Sequence, residues 1–207
     1  MCSIQIVAAV PALLRPAFAV NQTSAHDEFV PSSLRKTLLA QLPGPEVLLG
    51  PTERTYRQST AIPAYLHKRI MAVLHSGGFD PQSNGDHLRA DETFGRDVPV
   101  PACLTTAGVK LHQDRYGSDM VVNGLVAAVY LAGNGNMTFV NADSQEQHSR
   151  FEIVPGRLIV WNNTNLMHKV DVGDDVEFRV TLGPMSLDPT FSGGSGLVQV
   201  GIHVQYM

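Results

Sequence analysis

Phe151-Glu152-Ile153-Val154-Pro155-Gly156-Arg157-Leu158-Ile159-Val160-Trp161 reads as two short strands around a turn. Both flanks are rich in β-branched and aromatic residues, and Pro155-Gly156 between them is turn chemistry. The same texture extends in both directions beyond Pro101. Upstream lie Gly108 to His112, Val121 to Leu131 and Met137 to Asn141, with Gly133-Asn134-Gly135 as a further turn. Downstream lie His168 to Val172, Val176 to Leu182 and Leu197 to Tyr206, the first two separated by Gly173-Asp174-Asp175. Eight short strands at this spacing predict a sandwich or jelly roll.

The first hundred residues have a different pattern. Ser32 or Ser33 can cap a short helix carrying Leu34, Leu38, Leu39 and Leu42, closed by Pro43-Gly44. Glu46 to Gly50 reads as a short strand. A second helix is predicted over about Ile62 to Ser76, with Thr60 as its cap and Pro63 in its first turn. Ile62, Leu66, Ile70, Val73 and Leu74 form its apolar face, and Gly77-Gly78 ends it. From Phe79 to Val100 the chain is polar and without clear period, a candidate for a substrate-covering segment or an ordinary exposed connection. The expectation is one mainly β domain over residues 1–207. Its N-terminal part, 1–100, is helical with a connecting loop, and 101–207 form the β core.

Composition narrows the function classes. The chain has 207 residues and a formal net charge of −4, and its fifteen Lys and Arg are scattered rather than clustered. That argues against a nucleic-acid or anionic-membrane surface. No apolar run is long enough to span a bilayer. Ile4 to Leu14 is largely apolar and Ala17-Phe18-Ala19 has the small-residue pattern of a signal-peptidase site. However, no Lys or Arg precedes that run, Pro11 interrupts it and Arg15 closes it. An apolar leading strand in a cytoplasmic chain is therefore favoured over a cleaved targeting segment. Two cysteines, Cys2 and Cys103, are too few for a disulfide framework or a thiolate metal site, so a metal here has to use His and carboxylate.

Such donors occur in Leu111-His112-Gln113-Asp114-Arg115-Tyr116. On an extended strand, His112 and Asp114 project from the same face. A His-x-Asp pair alone is close to a chance event in a chain with eight histidines and twelve aspartates. His168, which opens an alternating strand after the polar Asn162-Asn163-Thr164-Asn165, adds a second imidazole. Two imidazoles and a carboxylate are the donor set of the facial triad that leaves open positions on non-haem Fe(II). In the strand Val176 to Leu182, Arg179 and Thr181 share one face while Phe178, Val180 and Leu182 share the other. If the Arg179 face looks into a barrel, the guanidinium needs an anion, and a carboxylate suits its fork. If that face is solvent-exposed, Arg179 pairs with Glu177 instead.

Taken together, His112-x-Asp114, His168 and Arg179-x-Thr181 resemble the pattern of Fe(II)/2-oxoglutarate-dependent dioxygenases, closest to the prolyl-hydroxylase-like branch. The Pro155-Gly156 turn with its following apolar strand, and the segment Val129-Tyr130-Leu131 to Met137-Thr138-Phe139, extend the resemblance over about residues 105–185. The resemblance implies a double-stranded β-helix, a jelly roll packed by N-terminal helices. It implies that His112, Asp114 and His168 ligate Fe(II) and that Arg179 holds the distal carboxylate of 2-oxoglutarate. Thr181 stands at the family's common Ser position, and Tyr130 is a further hydroxyl donor to that carboxylate. O2 is then the oxidant, succinate and CO2 are the coproducts, and a small-molecule or peptidyl substrate is hydroxylated. The presence of Asp114 favours hydroxylation over the halogenation of relatives that lack this carboxylate. Two alternatives stay open: a cupin-like metalloenzyme that does not use 2-oxoglutarate, and a jelly-roll binding module without chemistry.

Overall fold

A computed structural model of the chain describes residues 23–44, 55–80, 82, 98–106, 108–116, 120–171, 178–187 and 197–199. The expected strand at Glu46–Gly50, the apolar run Ile4–Leu14 and most of the segment Phe79–Val100 lie outside these residues. The chain opens with strand β1 (Thr23–His26), helix α1 (Ser32–Leu39), strand β2 (Thr55–Ile62) and helix α2 (Ala64–His75). Then follow β3 (Val98–Thr105), β4 (Val109–His112), β5 (Arg115–Tyr116), β6 (Met120–Val121), β7 (Leu125–Ala132) and β8 (Asn136–Asn141). The last described elements are β9 (Gln147–Glu152), β10 (Leu158–Asn162), β11 (Leu166–Asp171), β12 (Arg179–Leu187) and β13 (Leu197–Gln199).

All strand pairings are antiparallel. The larger sheet runs β1-β10-β7-β12-β3-β2, with β13 also paired to β12. The smaller runs β4-β11-β8-β9, and β5 and β6 form a two-stranded ribbon. This is the mainly β jelly roll expected, a double-stranded β-helix with helices beside it.

Alternation along the central strands shows where the cores sit. In β7, Ala127, Val129 and Leu131 join one buried cluster with Leu66, Ile70, Val73 and Leu74 of α2. Val126, Ala128 and Tyr130 join a second cluster with Met137 and Phe139 of the smaller sheet. The same division recurs in β10, with Leu158 and Val160 toward the helices and Ile159 and Trp161 toward the other sheet. A strand covered on both faces needs apolar residues at every position, so β7 and β10 read as unbroken apolar runs. In β12, Val180 and Leu182 belong to the helix-side core. Arg179 and Thr181 are therefore left on the barrel-interior face.

Several expectations are corrected. Neither helix is capped by a hydroxyl: Pro31 precedes α1 and Pro63 precedes α2, neither with a side-chain cap. Thr60 and Ile62 lie in β2, paired to Val100 and Val98, although Ile62 still packs in the predicted core. The N-terminal part is thus not only helical, because β1 and β2 are strands of the larger sheet. β3 starts at Val98, inside the segment read as irregular. Its Pro99 and Pro101 pair with β2 alone, since β12 reaches only Ala102 to Thr105. A missing N–H on an open edge breaks no ladder hydrogen bond. The strand read at Phe151–Val154 is β9 and lies earlier, at Gln147–Glu152.

Candidate metal centre and adjoining pocket

His112 is the last residue of β4 and His168 the third of β11, and the two are directly paired across the antiparallel ladder. Their ring centroids are 4.3 Å apart. His168 therefore sits within its strand, not at the strand's mouth. Asp114 is on no strand: it occupies the two-residue break between β4 and β5. Even so, its Oδ1 lies 3.6 Å from His112 Nε2. One ligand atom from each of His112, Asp114 and His168 falls within 4.8 Å of the others.

The electrostatics of this cluster call for a cation. Asp114 is fully buried. Both of its carboxylate oxygens lack hydrogen-bond partners among the described residues, as do His112 Nε2 and His168 Nδ1. A buried carboxylate without compensation is costly by several kcal/mol. A divalent ion bound between the three side chains removes that cost. His112 is prepared for it: its Nδ1 lies 2.7 Å from the Lys110 carbonyl and must donate there, leaving the Nε2 lone pair toward Asp114. Burial pushes the His168 pKa down to about 4, with the Asp114 charge opposing the shift and His112 adding to it. The imidazole is then neutral at physiological pH, as a metal ligand has to be.

What holds Asp114 in place is a residue that the sequence alone did not single out. Asn163, fully buried in the turn between β10 and β11, accepts from the Asp114 backbone N–H at 2.9 Å. Its Nδ2 donates to the Asp114 and Val122 carbonyls at 3.0 and 2.9 Å. Its own N–H donates to Gly124 O, and its carbonyl accepts from Gln113 Nε2, both at 2.8 Å. The turn leading into His168 is thereby fastened to the segment carrying Asp114. In sequence this asparagine is one of three in a polar turn, and nothing local distinguishes it from the others.

Beside the metal cluster lies a pocket of about 460 Å³, mouth included, whose wall contains Thr105, Tyr130, Trp161, His168, Arg179 and Thr181 among apolar side chains. Arg179 is 2% exposed, so it does not sit on the solvent-facing surface considered as the alternative. Glu177 lies outside the described residues. Gly133, at φ +91°, lets the β7–β8 turn approach this strand closely: a Cβ there would meet Arg179 Cα at 2.8 Å. Tyr130 lines the same pocket, and its hydroxyl donates to Met137 Sδ at 3.5 Å. Burial pushes the Tyr130 pKa up to about 12, moderated by the Arg179 charge and reinforced by that of Asp114. Tyr130 therefore senses both charged ends of the interior. The structure brings all six sequence-predicted site residues into one interior: the His112, Asp114 and His168 cluster, and a pocket shared by His168, Arg179, Thr181 and Tyr130.

No protein-family model and no curated protein sequence matches the chain. Among solved structures it is similar to a prolyl-4-hydroxylase of Pseudomonas putida, at 19% identity and TM-score 0.46 over 78% of this chain and 90% of that one. It is also similar to SnoN, a non-heme alpha ketoglutarate dependent epimerase of nogalamycin biosynthesis, at 14% identity and TM-score 0.46 over 87% of each chain. A third is HygX of Streptomyces hygroscopicus, solved with nickel and 2-oxoglutarate bound. It is 12% identical at TM-score 0.43, over 78% of this chain and 81% of that one. At such scores the likeness is loose, and the chain's own side chains carry the assignment of the site.

Proposed function

We propose that the chain is an Fe(II)- and 2-oxoglutarate-dependent oxygenase that hydroxylates a small-molecule or peptidyl substrate. The observation that carries this reading is the convergence of His112, Asp114 and His168, whose ligand atoms lack hydrogen bonds among the described residues, at a pocket that Arg179 also lines. His112 Nε2, one Asp114 oxygen and one His168 nitrogen would hold the ion, a donor set suited to non-haem Fe(II). Fe(II) held there would supply the redox chemistry for coupling oxidative decarboxylation of 2-oxoglutarate by O2, to succinate and CO2, with hydroxylation of the substrate.

The remaining tasks fall to the protein. Arg179 pairs with the distal carboxylate of 2-oxoglutarate, where a buried guanidinium binds a carboxylate far better than water-exposed cations do. In this reading Thr181, on the same face of β12, and Tyr130, on the neighbouring β7, donate hydroxyls to it, the Tyr130 O–H turning from Met137 Sδ to do so. The apolar remainder of the wall excludes water from the reacting end. A buried guanidinium beside the ligand cluster supports the 2-oxoglutarate reading over a cupin-like enzyme that binds no oxoacid.

The test is succinate release from 2-oxoglutarate, with and without candidate substrates, in the protein and two variants. Asp114→Ala is expected to abolish both metal retention and succinate formation. Arg179→Ala is expected to leave Fe(II) binding nearly intact while weakening 2-oxoglutarate by roughly a hundredfold, about 2.7 kcal/mol. Equal loss of metal and oxoacid binding in Arg179→Ala contradicts this division of labour. Ligand binding that survives Asp114→Ala with no succinate formed by either protein favours the non-catalytic binding module.

A further inference from the structure

Trp161 is the only tryptophan of the chain. It is 1% exposed, on the interior face of β10, with its ring centroid 4.8 Å from that of His168 and 5.8 Å from that of Phe139. It lines the same pocket as His168, Arg179 and Thr181. Its indole Nε1–H is buried and has no hydrogen-bond partner among the described residues. An indole nitrogen can only donate, so no change of tautomer or rotation of a proton relieves it. A buried donor left unpaired opposes folding, whereas phenylalanine would fill much of the same space without that cost. The indole is accounted for if its acceptor arrives with a ligand in the adjoining pocket.

The proposed oxygenase reading supplies such a ligand, and the present inference rests on it. We propose that Trp161 is an oxoacid-binding residue. Its Nε1–H donates to an oxygen of 2-oxoglutarate at the end of the pocket next to His168, while Arg179 holds the opposite carboxylate. Trp161 thereby selects for an acceptor beside the metal, which pentanoate, with its one carboxylate held by Arg179, does not offer.

Because there is one tryptophan, one indole N–H cross-peak reports the contact directly in ¹⁵N-labelled protein loaded with diamagnetic Zn(II). Adding 2-oxoglutarate is expected to move that peak downfield and slow its exchange with solvent, while pentanoate is expected to leave it in place. Calorimetry on the Zn(II) protein is expected to show about tenfold weaker 2-oxoglutarate binding in Trp161→Phe, with Zn(II) affinity unchanged. An indole signal that stays in place while calorimetry records 2-oxoglutarate binding to the same protein overturns the inference and leaves the oxygenase reading standing. Absence of any 2-oxoglutarate binding to the metal-loaded protein overturns both.

Discussion

Among the described residues, both carboxylate oxygens of Asp114 are buried without a hydrogen bond, although the backbone N–H and C=O of the same residue are tied to Asn163. The chain thus spends backbone hydrogen bonds on fixing a carboxylate that no described donor satisfies. Removing the charge should therefore help the metal-free protein. At pH 8, with metal chelated, Asp114→Asn is expected to raise unfolding stability by about 1–3 kcal/mol. Added Fe(II) or Mn(II) is expected to raise the melting temperature of the unsubstituted protein and to have no effect on this variant. Thermal melts with and without metal check both halves, and a variant less stable than the parent without metal argues that Asp114 has a structural partner instead. The sequence supplied His112, Asp114 and His168 because ligand chemistry restricts the residue types so tightly. It did not supply Asn163, since an asparagine that bonds to backbone looks the same in sequence as one in an exposed turn.

At the scale of elements, the candidate metal ligands ride on three separate pieces: the end of β4, the β4–β5 break and the middle of β11. β11 is held on both sides, by β4 and β8, so His168 is set by regular pairing. Asp114 has no ladder, and the β10–β11 turn takes its place. Asn163→Ala is accordingly expected to lower metal affinity by roughly 10–100-fold, the usual cost of losing an outer-shell support. Thr164→Val, which removes only the hydroxyl accepting from Gly124 N–H at 2.8 Å, should change affinity little. Metal titrations of the two variants settle the point, and equal effects would show that the turn acts as a whole and not through Asn163. Elements were legible in sequence where burial imposed a period. β7, β10 and the α2 face emerged for that reason. β9, at the edge of the smaller sheet, is exposed at Gln147, His148, Arg150 and Glu152, so Phe151 is its one apolar signal and its start leaves no mark in the sequence. Thr60 and Pro63 together imitate a helix start, yet eight residues of register with β3 put Thr60 and Ile62 in strand β2.

For the molecule as a whole, two sheets enclose a polar site, and burial of that site links stability to pH. His168 titrates near 6.5 when exposed and at about 4 in the fold. Between those values the unfolded chain binds the extra proton, so stability rises with pH through this window, is complete above about 6.5, and is lost as pH falls toward 4. The slope from this one group is on the order of 1.4 kcal/mol per pH unit. Denaturant unfolding of the metal-free protein from pH 4 to 7 should show it, and His168→Gln should flatten the profile. An unchanged profile in that variant assigns the acid sensitivity to other groups. The jelly roll itself was readable from strand and turn texture, whereas the pairing order was not, because antiparallel partners distant in sequence leave no local mark. Whether one interior holds iron and an oxoacid together is most directly read by anaerobic absorption spectroscopy. Adding 2-oxoglutarate to the Fe(II)-loaded protein without O2 is predicted to produce a weak visible charge-transfer band that saturates at one equivalent. The band should disappear in Asp114→Ala and require far more 2-oxoglutarate in Arg179→Ala. Full Fe(II) loading with no band at any 2-oxoglutarate concentration contradicts the account.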